Sequence, residues 1–79
     1  KRIIFLPGSR TKEVTRHLPL MIETKKLLQP LGLSFAVIKY PRLPGRLFEK
    51  AEEEGIEIIE ENRYQAIAES LIAVSSSGT

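Results

Sequence analysis

The 79-residue sequence contains no cysteine and no aspartate, and it has no long apolar run. Without cysteine, these residues can form neither a disulfide framework nor a thiolate metal site. All ten acidic residues are glutamates. A mechanism that depends on an aspartate, such as an aspartyl phosphoacceptor or an aspartate-held Mg²⁺, is therefore excluded from this stretch. No apolar run approaches the ~20 residues that a membrane-spanning helix needs.

The rest of the composition is that of an ordinary globular chain, with 42% apolar and 28% charged residues, which argues against disorder. The net charge of +2 is too small to indicate nucleic-acid binding, and we expect no nucleic-acid partner. The sequence begins without methionine, just before an apolar run, and ends in a turn. We therefore expect residues 1–79 to be a single incomplete domain, excised from a longer chain.

Four short apolar runs alternate with three amphipathic stretches and predict a β-α-β-α-β-α-β order. The predicted strands are 3–6, 35–38, 56–59 and 71–74, and the predicted helices are 11–29, 43–54 and 64–70. Pro19 predicts a kink in the first helix, or its division into two helices near residue 18. In the last helix Ile67 and Ala68 are expected to face inward, and Phe48 and Tyr64 are interpreted as packing residues.

Right-handed crossovers make the strands of such an α/β chain parallel. We predict a four-stranded, three-layer Rossmann-like half-sheet of order 3-2-1-4. The first and fourth strands are then neighbours. Their carboxyl ends lie at the topological switch point, where open α/β sheets bind ligands.

The turn Leu6-Pro7-Gly8-Ser9-Arg10 follows the first of these strands and leads into the first helix. Gly8 would let a ligand oxygen approach the backbone, Ser9 offers a hydroxyl, and Arg10 offers a planar guanidinium. The positive end of the helix dipole adds to the attraction for an anion. Taken alone, the turn also fits a plain strand-to-helix connection in which Ser9 or Thr11 caps the helix.

The turn after the fourth strand contains Ser77, Gly78 and Thr79. These residues would begin a further helix whose N–H groups can bind a diphosphate, although they also fit a simple polar loop. The pattern is neither a P-loop nor the dinucleotide fingerprint. Because their strands are neighbours, the two turns are predicted to form two walls of one phosphate site.

The remaining polar residues give weaker signals. His17 is better explained as a helix-surface residue than as a catalytic base. Arg42 and Arg46 can reach a phosphate, but a surface role is favoured for both. Consecutive glutamates at 52–54 and 60–61 point in different directions, so they indicate a solvated face rather than metal ligands.

The sequence also resembles a known family. The turn 6–10, followed by Glu13-Val14 and Leu18-Pro19, is similar to the opening of the C-terminal domain of lipid A disaccharide synthases, which reads LPGSR, a short spacer, EV or EI, and LP. Ser77-Gly78-Thr79 resembles the family's A-S-G-T-A-T-L-E stretch, with Ser76 where alanine is usual. The resemblance covers essentially all 79 residues.

This resemblance implies a two-domain GT-B glycosyltransferase that uses neither metal nor cofactor. Its donor would be UDP-2,3-diacylglucosamine and its acceptor 2,3-diacylglucosamine 1-phosphate, and the products would be a β-1,6-linked lipid A disaccharide and UDP. By position, Gly8-Ser9-Arg10 would lie at the active-site cleft and Ser77-Gly78-Thr79 would hold the diphosphate. Arginine and backbone N–H groups would then offset the charge on the leaving diphosphate. The catalytic residues remain unknown.

The resemblance further implies a cytoplasmic parent protein, peripheral to the inner membrane, whose N-terminal domain is a partner of this one. We expect the fragment alone to be inactive and to self-associate through its exposed fourth strand. Two alternatives stay open. One is a nucleotide-binding module of another GT-B transferase or of an epimerase. The other is a non-catalytic flavodoxin-like interaction domain, which would not bind UDP.

Overall fold

A parallel four-stranded sheet of order β3-β2-β1-β4 forms the middle layer of the computed structural model, which describes residues 2–75. The predicted α/β class, strand direction and strand order are confirmed. The strands are β1 (Arg2–Leu6), β2 (Ser34–Ile38), β3 (Glu57–Ile59) and β4 (Ile72–Ser75). The helices are α1 (Thr11–Leu28), α2 (Glu49–Glu53) and α3 (Arg63–Glu69), with 3-10 turns at Gln29–Leu31 and Gly45–Phe48.

The register aligns the carboxyl ends of three strands. β1 pairs with β4 as far as Leu6↔Ser75, and with β2 as far as Phe5↔Val37. The loops that follow β2 and β1 therefore leave the sheet side by side at one edge, where β4 also ends.

Two apolar cores lie on the two faces of the sheet. On the first face, α1 buries Val14, Leu18, Met21 and Ile22, which repeat at helical spacing and contact the strands. The rings of Phe5 and Phe35 stack in this core with centroids 5.9 Å apart. The smaller core on the second face lies under α3 and contains Ile4, Ala36, Ile38 and Ile59, with Ala66 and Ile67 at its border.

Pro19 does not divide the first helix, so the prediction of two helices is wrong. α1 runs without interruption from residue 11 to residue 28. Proline removes the N–H that would bond to the carbonyl of Thr15. Both Thr15 and Pro19 are exposed. Water can therefore solvate that carbonyl, and the buried side of the helix keeps its apolar contacts.

The second helix is shorter than predicted. Pro44 is extended, with φ −64° and ψ 138°, and the chain then forms the 3-10 turn before α2. Leu43 precedes this turn and is still buried. Phe48 is buried as predicted, with 2% of its surface exposed.

The inward side of α3 differs from the prediction. Its partly buried positions are 63, 66 and 67, and the C-cap residue Ser70 is partly buried as well. This is the spacing of one helical face. Ala68 and Tyr64 lie off that face, and both are exposed. The interpretation of Tyr64 as a packing residue is therefore wrong, since 85% of its surface is exposed.

β4 is an edge strand among the described residues. Leu71 and Ile72 are about half exposed, at 51% and 50%, while Val74 contacts the larger core. Within residues 2–75, no helix combines the length and apolarity of a membrane-spanning segment.

Candidate functional site

The turn after β1 places Ser9 and Arg10 at the carboxyl edge of the sheet. Arg10 is the N-cap residue of α1, with φ −123° and ψ 149°, and its carbonyl accepts the N–H of Val14 at 3.0 Å. The N-cap side chain makes no capping hydrogen bond. The alternative in which Ser9 or Thr11 is the N-cap residue is therefore wrong. Both Ser9 and Arg10 are exposed.

Glu13 occupies part of the space that the sequence assigned to a ligand. Its Oε1 accepts the backbone N–H of Ser9 at 3.2 Å. A Cβ atom added to Gly8 would lie 2.5 Å from this Oε1 and 2.7 Å from the Cβ of Glu13. Gly8 also has a φ of +125°, which L side chains rarely adopt. The fold of the turn itself thus requires glycine here, independently of any ligand.

Sequence reasoning used Glu13 only as part of a motif and missed this contact. A signal for it was present. Glu13 lies three residues after the N-cap, the position from which a glutamate commonly reaches back to a free N–H group at the start of a helix. A carboxylate at this point is also favoured by the helix dipole.

The second predicted wall, Ser77-Gly78-Thr79, lies outside the described residues. β4 can be followed to Ser75, which pairs with Leu6 at the end of β1. The described ends of β1 and β4 thus lie at the same edge of the sheet. The facing of Ser77-Gly78-Thr79 and Arg10 stays a prediction.

An open cleft of about 460 Å³ lies at the same edge, on the β2 side of β1. It is lined by Ser9 and Arg10 and by Tyr40, Pro41 and Arg42 from the loop after β2. Within residues 2–75, no hydrogen bond or ion pair engages the side chain of Arg10 or Arg42. Both are exposed. Among the described residues, the cleft therefore has two guanidinium groups that no other group engages.

Arg42 and Arg46 are separated by the fold. Arg46 lines a different groove of about 390 Å³, which lies between α1 and the segment 46–50. The surface role favoured for both residues fits Arg46, but Arg42 lines the same cleft as Arg10. Their separation along the chain gives no sign of this, because the shared cleft follows from the pairing of β1 with β2.

Two cationic side chains near the cleft, Lys39 and Arg63, are engaged by Glu60, which follows β3. The ammonium group of Lys39 lies 3.5 Å from Glu60 Oε2, and only 8% of the Lys39 side chain is exposed. Arg63 donates a hydrogen bond to the carbonyl of Glu60. Its guanidinium lies over the ring of Tyr40, 5.0 Å from the centroid, a distance at which the cation attracts the ring.

The other candidate residues lie elsewhere. His17 is partly exposed on α1 and is not among the residues that line the cleft. Its Nδ1 atom is buried and has no hydrogen-bond partner within residues 2–75. No three acidic or histidine residues of the described part of the chain are grouped so that they could hold a metal ion.

Comparison with known proteins points to one kind of enzyme. The chain is 36% identical over 80 residues to the lipid-A-disaccharide synthase of Francisella philomiragia subsp. philomiragia. It is 38% identical over 80 residues to the proteins of the same name from Francisella tularensis subsp. novicida and subsp. tularensis. Each match covers 94% of this chain and 21% of the relative.

The chain thus spans about a fifth of the length of these curated relatives. No family model matches the chain, and no solved structure matches it.

Proposed function

We propose that this chain is part of a lipid-A-disaccharide synthase and contributes to its UDP site. The observation that carries the proposal is the 36–38% identity to proteins of that name over 94% of the chain. The fold supports it, because parallel α/β sheets bind ligands at the carboxyl ends of their strands. Ser9 and Arg10 are exposed at that edge.

The proposed reaction transfers 2,3-diacylglucosamine from UDP to 2,3-diacylglucosamine 1-phosphate. A hydroxyl oxygen of the acceptor forms the β-1,6 glycosidic bond to the anomeric carbon of the donor. The bond between that carbon and the diphosphate oxygen breaks, and the hydroxyl proton leaves to a base that we do not assign. UDP departs with the electron pair of the broken bond.

Within this reaction, the proposed role of Arg10 is electrostatic. As the bond to the diphosphate breaks, negative charge grows on its oxygens, and a guanidinium already in place stabilises the transition state more than the bound substrate. Ser9 would donate its hydroxyl to the same anion, and Ser77-Gly78-Thr79 would supply N–H groups from the other side. The proposal involves neither a metal nor a cofactor.

We also propose that residues 1–79 are one incomplete domain of a GT-B enzyme, with the N-terminal domain of the parent protein as its partner. The catalytic base and the surface for the acyl chains would belong to that partner, so the 79-residue chain alone would not catalyse transfer. Both proposed substrates carry acyl chains. The parent protein would therefore work on the cytoplasmic side of the inner membrane, in peripheral contact with it.

A transfer assay with the full-length parent protein tests this proposal. The protein is incubated with UDP-2,3-diacylglucosamine and the acceptor, and the products are separated by chromatography and weighed by mass spectrometry. We expect a disaccharide phosphate and one UDP for each disaccharide. Turnover of other UDP-sugars but not of this donor would favour a different GT-B transferase or an epimerase. Failure to bind any UDP compound would favour the non-catalytic alternative.

A further inference from the structure

The cleft on the β2 side of β1 differs in charge from two other surface cavities of the described chain. Its lining contains two arginines and no carboxylate. The groove beside Arg46 includes Glu23 in its lining, and the third cavity includes three glutamates, one of which pairs with Arg2 at 3.0 Å. Two guanidinium groups in one lining that contains no carboxylate repel each other. An anion bound between them would offset that repulsion.

The two arginines occupy equivalent places in neighbouring loops. Arg10 lies four residues after Leu6, where β1 ends, and Arg42 lies four residues after Ile38, where β2 ends. β1 and β2 are parallel neighbours in the sheet, so the two loops rise from the same edge. One compact anion can therefore contact both side chains.

The loop that carries Arg42 is anchored on both sides. Lys39 before it is buried and donates its backbone N–H to the carbonyl of Ile59 at 2.9 Å. Leu43 after it is buried in the larger core and donates its N–H to the carbonyl of Tyr40 at 3.0 Å. A fixed loop loses little conformational entropy when a ligand binds.

We propose that Arg10 and Arg42 together bind a phosphoryl group of a substrate in this cleft. This inference rests on the proposed function and adds a residue to its site. It places an anion on the β2 side of β1, whereas Ser77-Gly78-Thr79 would act on the β4 side. The phosphoryl group belongs either to the diphosphate of the donor or to the 1-phosphate of the acceptor. Arginine suits both, because its planar fork bonds to two oxygens of one phosphate.

Calorimetric titration of the full-length parent protein tests the assignment. The ligands are UDP, pyrophosphate and glucosamine 1-phosphate, each titrated into the wild type and into Arg42→Ala, Arg10→Ala and the double variant. Arg46→Ala is the matched control. Arg46 carries the same charge, lies four residues after Arg42 and is also exposed, but it lines a different groove. Thermal melting shows that each variant is folded.

We expect Arg42→Ala to lower the affinity for at least one of these ligands by about tenfold. This is the usual effect of losing one hydrogen bond to a charged group. Arg46→Ala should change affinity less than about twofold. Losses for UDP and pyrophosphate identify the donor diphosphate as the bound group, and a loss for glucosamine 1-phosphate identifies the acceptor. Because both arginines would contact one ligand group, their effects in the double variant should not add.

Unchanged affinity of Arg42→Ala for all three ligands overturns the assignment, as does an equal loss in Arg46→Ala. A wild-type protein that binds no UDP instead contradicts the proposed function itself, and the inference fails with it. If the wild type binds UDP and Arg42→Ala binds all three ligands unchanged, the proposed function stays in place and only the role of Arg42 is removed.

Discussion

Replacing Gly8 with alanine would strain the turn between β1 and α1 in two ways. The backbone φ of +125° is one that alanine rarely adopts, and holding it there costs about 1–3 kcal/mol. The new Cβ would also lie 2.5 Å from Glu13 Oε1 and 2.7 Å from Glu13 Cβ. The carboxylate can swing away, but the Cβ of Glu13 is fixed to the helix, so the turn itself must shift.

That shift would break the bond from the N–H of Ser9 to Glu13, which contributes about 0.5–1.5 kcal/mol. The two effects together predict a loss of roughly 2–4 kcal/mol in the free energy of unfolding. A domain of this size has only about 4–12 kcal/mol in total, at roughly 0.05–0.15 kcal/mol per residue. The variant should therefore be clearly less stable than the wild type.

Two other glycines provide matched controls. Gly32 has a φ of +74° but nothing within 4 Å of an added Cβ, so alanine there should cost only the backbone strain of about 1–2 kcal/mol. Gly45 has no such φ and equally open space, and alanine there should change stability by less than about 1 kcal/mol. Adding Glu13→Ala to Gly8→Ala should relieve only the contact with the carboxylate. Alanine keeps the Cβ that lies 2.7 Å away, so most of the loss should remain.

The assay is urea unfolding of the 79-residue chain followed by circular dichroism, with an osmolyte titration for any variant that is unfolded at the outset. The expected order of destabilisation is Gly8→Ala, then Gly32→Ala, then Gly45→Ala. If Gly8→Ala costs no more than Gly32→Ala, the contact with Glu13 does not fix this turn and the reasoning is refuted.

The remaining predictions concern charge and association. Glu60→Gln should lower the free energy of unfolding by about 1 kcal/mol, because the buried ammonium of Lys39 loses its charged partner; the effect is limited because Glu60 itself is half exposed. Urea unfolding measures this free energy. An equal loss in Glu61→Gln, at the exposed neighbouring residue, would contradict the prediction. The 79-residue chain should bind UDP only in the millimolar range or not at all, and should self-associate through β4. Calorimetric titration measures the affinity for UDP, and sedimentation measures the self-association. Ile72→Lys should keep the chain monomeric. Tight UDP binding by a monomeric wild-type chain would refute the expectation of weak binding and self-association.

The fold could be predicted because burial on both faces leaves a plain signal in the sequence. Ile3, Ile4 and Phe5 are consecutive apolar residues because alternate side chains of β1 enter different cores. The helical spacing of Val14, Leu18 and Ile22 likewise follows from one buried side of α1. The strand order is that of doubly wound sheets, in which right-handed crossovers place helices on both faces.

The site could be predicted only in part, since its residues meet through tertiary structure. Arg10 could be found because a strand, a glycine turn and a helix are contiguous in sequence. Arg42 was set aside, although the predicted order already made β1 and β2 neighbours and Arg42 follows β2 as closely as Arg10 follows β1. The burial of Lys39 was missed because its partner, Glu60, follows a strand that is distant in sequence.

The central claim is that Arg10 stabilises a leaving diphosphate at the carboxyl edge of this sheet. The most direct test is the kcat/KM of the full-length parent protein for UDP-2,3-diacylglucosamine, measured for Arg10→Ala, Arg10→Lys and Arg16→Ala, an exposed arginine of α1. We predict that Arg10→Ala lowers kcat/KM by at least ~10²-fold with the fold intact. Arg10→Lys should recover little of it, because an ammonium group lacks the bidentate fork of a guanidinium. Arg16→Ala should keep a kcat/KM near that of the wild type. Wild-type kcat/KM in Arg10→Ala would contradict the claim and make Arg10 an ordinary surface residue.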